Sequence, residues 1–412
     1  MPTDEDLAPQ NFIITSIDLH DLNSFSNLVY FDFHGIDPSL LFDDDGKVYM
    51  QGSWIYGYRK KPATVIRQAE IDVSTGEYKS ELKDIWTGSG DKVPEGPHLY
   101  KKDGKYWLLI AEGGTHRGHK ITMARSDNVW GPYESYEKNP IITTQGVSHP
   151  IQCVGHGELF TDTNGEWWCS MLARREYGDA YPLGRETYLV PATWPENQFP
   201  SFDPVELEQV VNLSGRRLPD GHLLGGTNPV PKTVSVNSPH TLFLRTPDLG
   251  NISEDSSNAR LTLKATSVEL GSGTGSPTFI GRRQVALGSE ASVILDLTDL
   301  PGGHCGLSVY KDTYHHISLD VNASKELTLA IAHHSQELGY TESRSIEKAT
   351  SVKLIITSTI QRYLFSYDLL QEGSWQGEVA IGTVPASDMS GDDFTGKCYE
   401  MTILDARQRY GF

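Results

Sequence analysis

Paired cysteines are missing from this chain. Its four thiols, Cys153, Cys169, Cys305 and Cys398, lie far apart with no C-x-x-C spacing. That excludes a thiolate zinc cluster, a dithiol redox centre and a dense disulfide framework, and predicts free, mostly buried thiols. Basic residues are in deficit, 35 Lys and Arg against 54 Asp and Glu, so the formal charge is −19. A surface of that sign repels phosphate backbones and anionic lipid, which excludes nucleic-acid and membrane partners. No run of about 18 apolar residues occurs, and the start, MPTDEDLAPQ, has neither a basic nor an apolar leader segment. The expected location is therefore cytoplasmic, and the sequons at Asn212, Asn251 and Asn322 are expected to stay unused.

Turn formers are abundant instead, with 39 Gly and 22 Pro in 412 residues. Together with 10% aromatic residues they point to a β-rich architecture. The length exceeds the roughly 250 to 300 residues at which single cores stop growing, so two domains are expected. Three segments repeat one layout, an apolar pair, a turn with glycine and an aromatic strand: IDPSLLFDDDGKVYMQGS from Ile36, EGPHLYKKDGKYWLLIAEG from Glu95, and GHGELFTDTNGEWWCSMLAR from Gly155. Their turn glycines Gly46, Gly104 and Gly165 make a period near 60, which fits a four-stranded propeller blade better than a chance series of sandwich hairpins. The stretch NLSGRRLPDGHLLGGTNPVPK reads as a linker, and the strands beyond it alternate like an antiparallel sandwich. The expected organisation is a propeller domain over 1–211, a linker over 212–234 and a β-sandwich over 235–412.

Inner strands of successive blades start at one mouth of a central channel, so matched repeat positions converge there. Those positions hold Asp37, Glu95 and His156. Two carboxylates in one cleft suit glycoside hydrolysis, in which one protonates the leaving oxygen and the other activates water or attacks carbon. Asp37 precedes a proline and could cap a turn, whereas Glu95 between Pro94 and Gly96 has little value as a turn former. His156 is either a channel filler bonded to backbone or a water-mediated ligand of an axial cation. The run Asp43 to Asp45 lacks EF-hand spacing and reads as a solvated turn.

These segments resemble glycoside hydrolase family 43, the β-xylosidases and α-L-arabinofuranosidases, over most of the chain. The motifs that carry the resemblance are HGIDPSLLFDDDGKVYM, PEGPHLYKKDGKYWLLIAEGGT, GHGELFTDTNGEWW with YPLGRETYL, and SPTFIGRRQ with GLSVYKDTYHHISL. It implies an all-β fold, a five-bladed β-propeller followed by a β-sandwich, and an inverting mechanism. It further implies that Glu95 is the general acid, that Asp37 orients that acid and modulates its acidity, and that His156 is the axial histidine beside which a structural calcium ion is often found, with no other cofactor required. By the same resemblance Arg185 grips sugar hydroxyls and His119 is part of the pocket wall. Trp86 and Tyr106 are candidate aromatic contacts for a small carbohydrate or other small-molecule ligand.

The family's general base, an Asp in a D-P motif on the first blade, has no counterpart in this sequence. Five blades of about 60 residues need roughly 300, and about 211 precede the linker, so the propeller is expected to be incomplete by the first blade and part of the second. Asp18, Asp21 and Asp32 fall after the missing motif in register and are not expected to replace it. Hydrolysis is then expected to be weak. The alternatives are a pocket turned to another reaction on a cytosolic small molecule, and a carbohydrate-binding or scaffold protein. A homo-oligomer could cover the open blade edges.

Overall fold

The structure is a computed structural model that describes residues 9–208 and 234–405, apart from 20, 58, 59, 239, 258, 259, 299, 301, 334–341 and 392–397. Most of the expected linker therefore lies outside the described residues. The chain divides into two units, one of 1–174 with 186–212, the other of 175–185 with 213–412. The cut near 212 falls beside the expected boundary, while the grouping of the excursion 175–185 with the second unit was not foreseen from sequence.

In the first unit β1 (Asn11–Ile13) and β2 (Val29–Phe31) form a two-stranded ribbon. Three antiparallel sheets follow. The first contains β3 (Gly35–Phe42), β4 (Val48–Ile55), β5 (Thr64–Glu70) and β6 (Lys83–Trp86) in spatial sequence. The second has β7 (Glu95–Lys102), β8 (Lys105–Glu112), β9 (Lys120–Ser126) and β10 (Glu134–Ser135), with β11 (Ile142–Thr143) also on β9. The third has β12 (Ile151–Thr161), β13 (Trp167–Arg175), β14 (Arg185–Thr193) and β15 (Ser201–Phe202). Each of these sheets is a blade, and the unit is an incomplete five-bladed propeller.

Strand alternation explains the stacking. Both faces of β8 are apolar: Leu108 and Ile110 join Leu41, Ile66 and Trp86 in one buried cluster, while Trp107 and Leu109 join Ile151, Val154 and Met171 in another. A central strand sandwiched between blades can expose neither face, and residues 107–112 are accordingly all buried. The ribbon supplies Ile13 and Phe31 to a third cluster with Phe33, Met50 and Ile71. Its other face keeps Phe12 and Tyr30 exposed.

The acidic turn is less solvated than its composition suggests. Asp44 and Asp45 are exposed, but the Asp43 side chain is only 2% exposed, pairs with Lys101 and accepts from the Tyr106 hydroxyl at 2.6 Å. Burial alone would push Asp43 up; the bonds from Lys101 and Tyr106 outweigh it and hold the carboxyl below its ordinary value. Asp43 thus pins the first blade's hairpin to the second blade, and Tyr106 is committed to that contact.

The second unit is the β-sandwich. A seven-stranded sheet has Gly303–Asp312 and His315–Asn322 near its middle, and a five-stranded sheet is built on Ser351–Ser358 and Arg362–Gln371. Their facing residues, among them Leu307, Leu319, Leu354, Tyr363 and Phe365, form one buried core. Cys153, Cys169 and Cys305 are buried and in no disulfide, and burial pushes the thiols of Cys169 and Cys305 up to about 12, so these two stay protonated and inert. The side chain of Cys398 is outside the described residues.

Candidate active site

Each inner strand turns through a left-handed residue near its start, Asp37 at φ 54°, Gly96 at φ 56° and His156 at φ 50°, with Cys153 at φ 60° a second one on the third. In the first two blades a bulge accompanies it. Ile36 pairs with Ser53 and Ser39 with Gln51, while Glu95 pairs with Ala111 and His98 with Leu109. Asp37 therefore matches Gly96, and Glu95 matches Ile36. The sequence expectation that Asp37, Glu95 and His156 share one repeat position is corrected by one residue at Glu95. An acidic residue on either side of a bulge looks the same in spacing, and the pairing alone separates them.

The offset still gathers the groups around Gly96. The Gly96 amide donates to Asp37 Oδ2 at 3.1 Å, so Asp37 from the first blade grips the backbone next to Glu95. The His156 ring lies against the same glycine, where a β-carbon would come within 3.0 Å of it. His119, 1% exposed, sets its Nε2 3.8 Å from Glu95 Oε1. Its Nδ1 is 3.1 Å from the Cys153 carbonyl oxygen, so in the tautomer that donates from Nδ1 the ring is aimed by the third blade. The ring fills the space beside Gly155, where a β-carbon would approach it to about 2.4 Å. Asp37, Glu95, His119 and His156 are thus brought together.

Polar side chains from the first blade fix the backbone on either side of the acid. Ser53 Oγ and Thr64 Oγ1, both buried, donate to the Pro94 carbonyl at 2.7 and 2.9 Å, and Ser39 Oγ donates to the Pro97 carbonyl at 2.5 Å. Such partners lie 30 to 58 residues from the prolines they hold, and no local motif announces them. One step farther along the strand His98 lies 3.8 Å from Glu158. Burial pushes the His98 imidazole below its ordinary value, against the pull of Glu158 and Asp37 and with the push of His156.

Trp86 is not part of this group. It closes β6 opposite Ile66 and is 8% exposed inside the cluster shared with the second blade, which makes it a packing residue. Arg185 opens β14, is half-buried and is counted with the second unit, where its carbonyl accepts from Arg283 at 2.7 Å. Asp18, Asp21 and Asp32 are exposed, and the Asp21 carboxylate caps a short 3-10 turn by accepting from the Asn23 amide at 2.9 Å. For a metal, no three His, Cys, Asp or Glu side chains among the described residues form a chelating group. Calcium takes six to eight oxygen ligands, which beside His156 would have to be supplied largely by water, so no step is derived through a cation.

The chemistry open to such a site is proton transfer. A carboxyl side chain 14% exposed, with its backbone held from two blades, presents an acid of fixed position to a ligand at the channel mouth.

Comparison with known proteins agrees in kind. Residues 2–200 match the model of glycosyl hydrolases family 43, and residues 237–411 match a beta xylosidase C-terminal concanavalin A-like domain. A xylosidase/arabinosidase of Butyrivibrio fibrisolvens is 33% identical over 330 residues, 77% of this chain and 63% of that protein. A non-reducing end alpha-L-arabinofuranosidase of Bacteroides ovatus is 29% identical over 88% of this chain and 67% of its own length. The chain thus spans about two thirds of these relatives. Among solved structures, a Bacteroides ovatus GH43B protein superposes with a TM-score of 0.81 at 27% identity, covering 95% of this chain and 76% of that one. A Bacillus licheniformis GH43 protein gives 0.81 and 27%, with 97% and 77% covered.

Proposed function

The propeller unit of this chain belongs to glycosyl hydrolases family 43, and on that premise we propose that the chain acts on terminal pentose residues of the β-xyloside or α-L-arabinofuranoside type, with Glu95 donating the proton to the glycosidic oxygen. The observation that supports this reading is the grip on the backbone beside Glu95, where Asp37 accepts from the Gly96 amide while His156 packs on Gly96. Asp37 and His156 orient the acid, and His119 walls the pocket beside it. Inversion requires a second carboxylate roughly 6.5 to 9.5 Å from the acid to activate water. Asp18, Asp21 and Asp32 are surface residues, so among the described front residues the reading finds only the acid half of the reaction, and slow turnover is proposed with it. A further element of the proposal is self-association through the exposed face of the ribbon.

The test is release of the aryl group from aryl β-D-xylosides and α-L-arabinofuranosides. Release that falls about 10²- to 10⁴-fold in Glu95→Gln supports the assignment, because a positioned acid contributes that much. Release that is indifferent to Glu95→Gln overturns it. The exposure of the three front aspartates favours one other reading, a pocket that binds pentosides without cleaving them. It predicts no aryl release together with xylose or arabinose binding that Glu95→Gln weakens.

A further inference from the structure

Val93 is a β-branched residue at φ 54°, two positions before Glu95, in the left-handed region that such residues rarely occupy. Strain of this kind persists only where the surroundings hold the backbone on both sides. Downstream the holding groups are Ser53 and Thr64 on the Pro94 carbonyl, described above. Upstream the holding group is Glu112.

Glu112 ends β8 and is fully buried. Its carboxylate accepts from the Ser89 amide at 3.0 Å, the Ser89 hydroxyl at 2.7 Å, the Asp91 amide at 3.3 Å and the Thr122 hydroxyl at 2.5 Å. Every partner is a neutral donor, and two of them are backbone amides of the loop that leads into the acid. The fit is close: a β-carbon on Gly88 would lie 2.3 Å from Glu112 Oε1. The next residue, Gly113, donates its amide to the Lys92 carbonyl at 2.8 Å, and the preceding one, Ala111, is the strand partner of Glu95. A buried carboxylate is costly unless its lone pairs are filled, and here loop amides fill them.

We propose that Glu112 is a positioning residue for Glu95: its buried carboxylate clamps the 88–92 loop and so holds the strained Val93 backbone that sets the acid at the channel mouth. The proposal extends the functional reading but is tested apart from it. Amide hydrogen exchange of the full chain is compared between wild type and Glu112→Gln, with Thr122→Val, which removes one donor, as the milder variant should the first fail to fold. The expected result is exchange at least tenfold faster at Ser89, Asp91 and Gly96, while Leu108 and Ile110 in the middle of β8 keep their protection. Unchanged exchange at Gly96, or an equal loss along all of β8, overturns it. Where wild type releases aryl groups, the variants are expected to lose more rate with poor leaving groups than with dinitrophenyl, since only the former need the proton. Equal losses across leaving groups also overturn it, and inactivity of wild type counts against the functional reading while leaving the exchange result decisive.

Discussion

Partly buried histidines make folded proteins sensitive to mild acid, and His98 is placed to do so. Because burial holds its imidazole below the ordinary 6.5, the unfolded chain takes the proton first as pH falls. The stability tied to neutral His98 is whole above 6.5 and is lost as pH drops from there toward the folded value. Glu158 and Asp37 work against this loss and His156 adds to it. Denaturant midpoints measured at about pH 7.5 and pH 5.5 should therefore differ less in His98→Asn than in wild type. An equal difference would remove His98 from the acid response. At this scale the sequence grouped Glu95 with Asp37, both beside prolines and glycines in repeated motifs, and the two do meet at Gly96. It was misleading for Trp86, because an aromatic residue at a strand end looks the same whether it faces a sugar or a neighbouring blade. It was silent on Glu112, Ser53 and Thr64, whose roles arise only when residues 10 to 41 apart in sequence meet.

The repeated hairpins disclosed the blades because turn glycines and aromatic strands recur at a fixed interval, and the fold requires both. The bulge stayed hidden, since inserting one residue beside a proline leaves the period almost unchanged. Its left-handed residue makes a direct prediction. Gly96→Ala places a β-carbon 3.0 Å from the His156 ring at φ 56°, whereas Gly46→Ala at φ 81° meets nothing within 4 Å. Each change bears a backbone cost of about 1–2 kcal/mol, and only Gly96→Ala adds the displaced histidine. Thermal unfolding should rank Gly96→Ala as the more damaging of the two; the reverse order would show that His156 does not pack as described.

For the molecule as a whole, the expected all-β architecture was legible from turn composition and repeats. The excursion 175–185 was not, because it carries no periodicity of its own. The ribbon and the segment joining its two strands make the prediction at this scale. Ile17, Leu19 and Tyr30 are 98%, 76% and 56% exposed, with Phe12, Ile14 and Leu28 between 43% and 46%. Apolar surface of that extent on a two-stranded edge favours association. At micromolar concentration the chain should sediment above its 45.7 kDa monomer mass, and Phe12→Ser with Tyr30→Ser should return it there. Monomeric wild type would refute the idea.

The cradle around the acid is drawn from three consecutive blades, since Asp37, Glu95, His119 and His156 all lie within one unbroken stretch of chain. A stretch of that kind can be inherited as one cassette. A recombination event that moved it would carry the proton donor and its supports together, whereas a partner carboxylate sited on another repeat would travel separately.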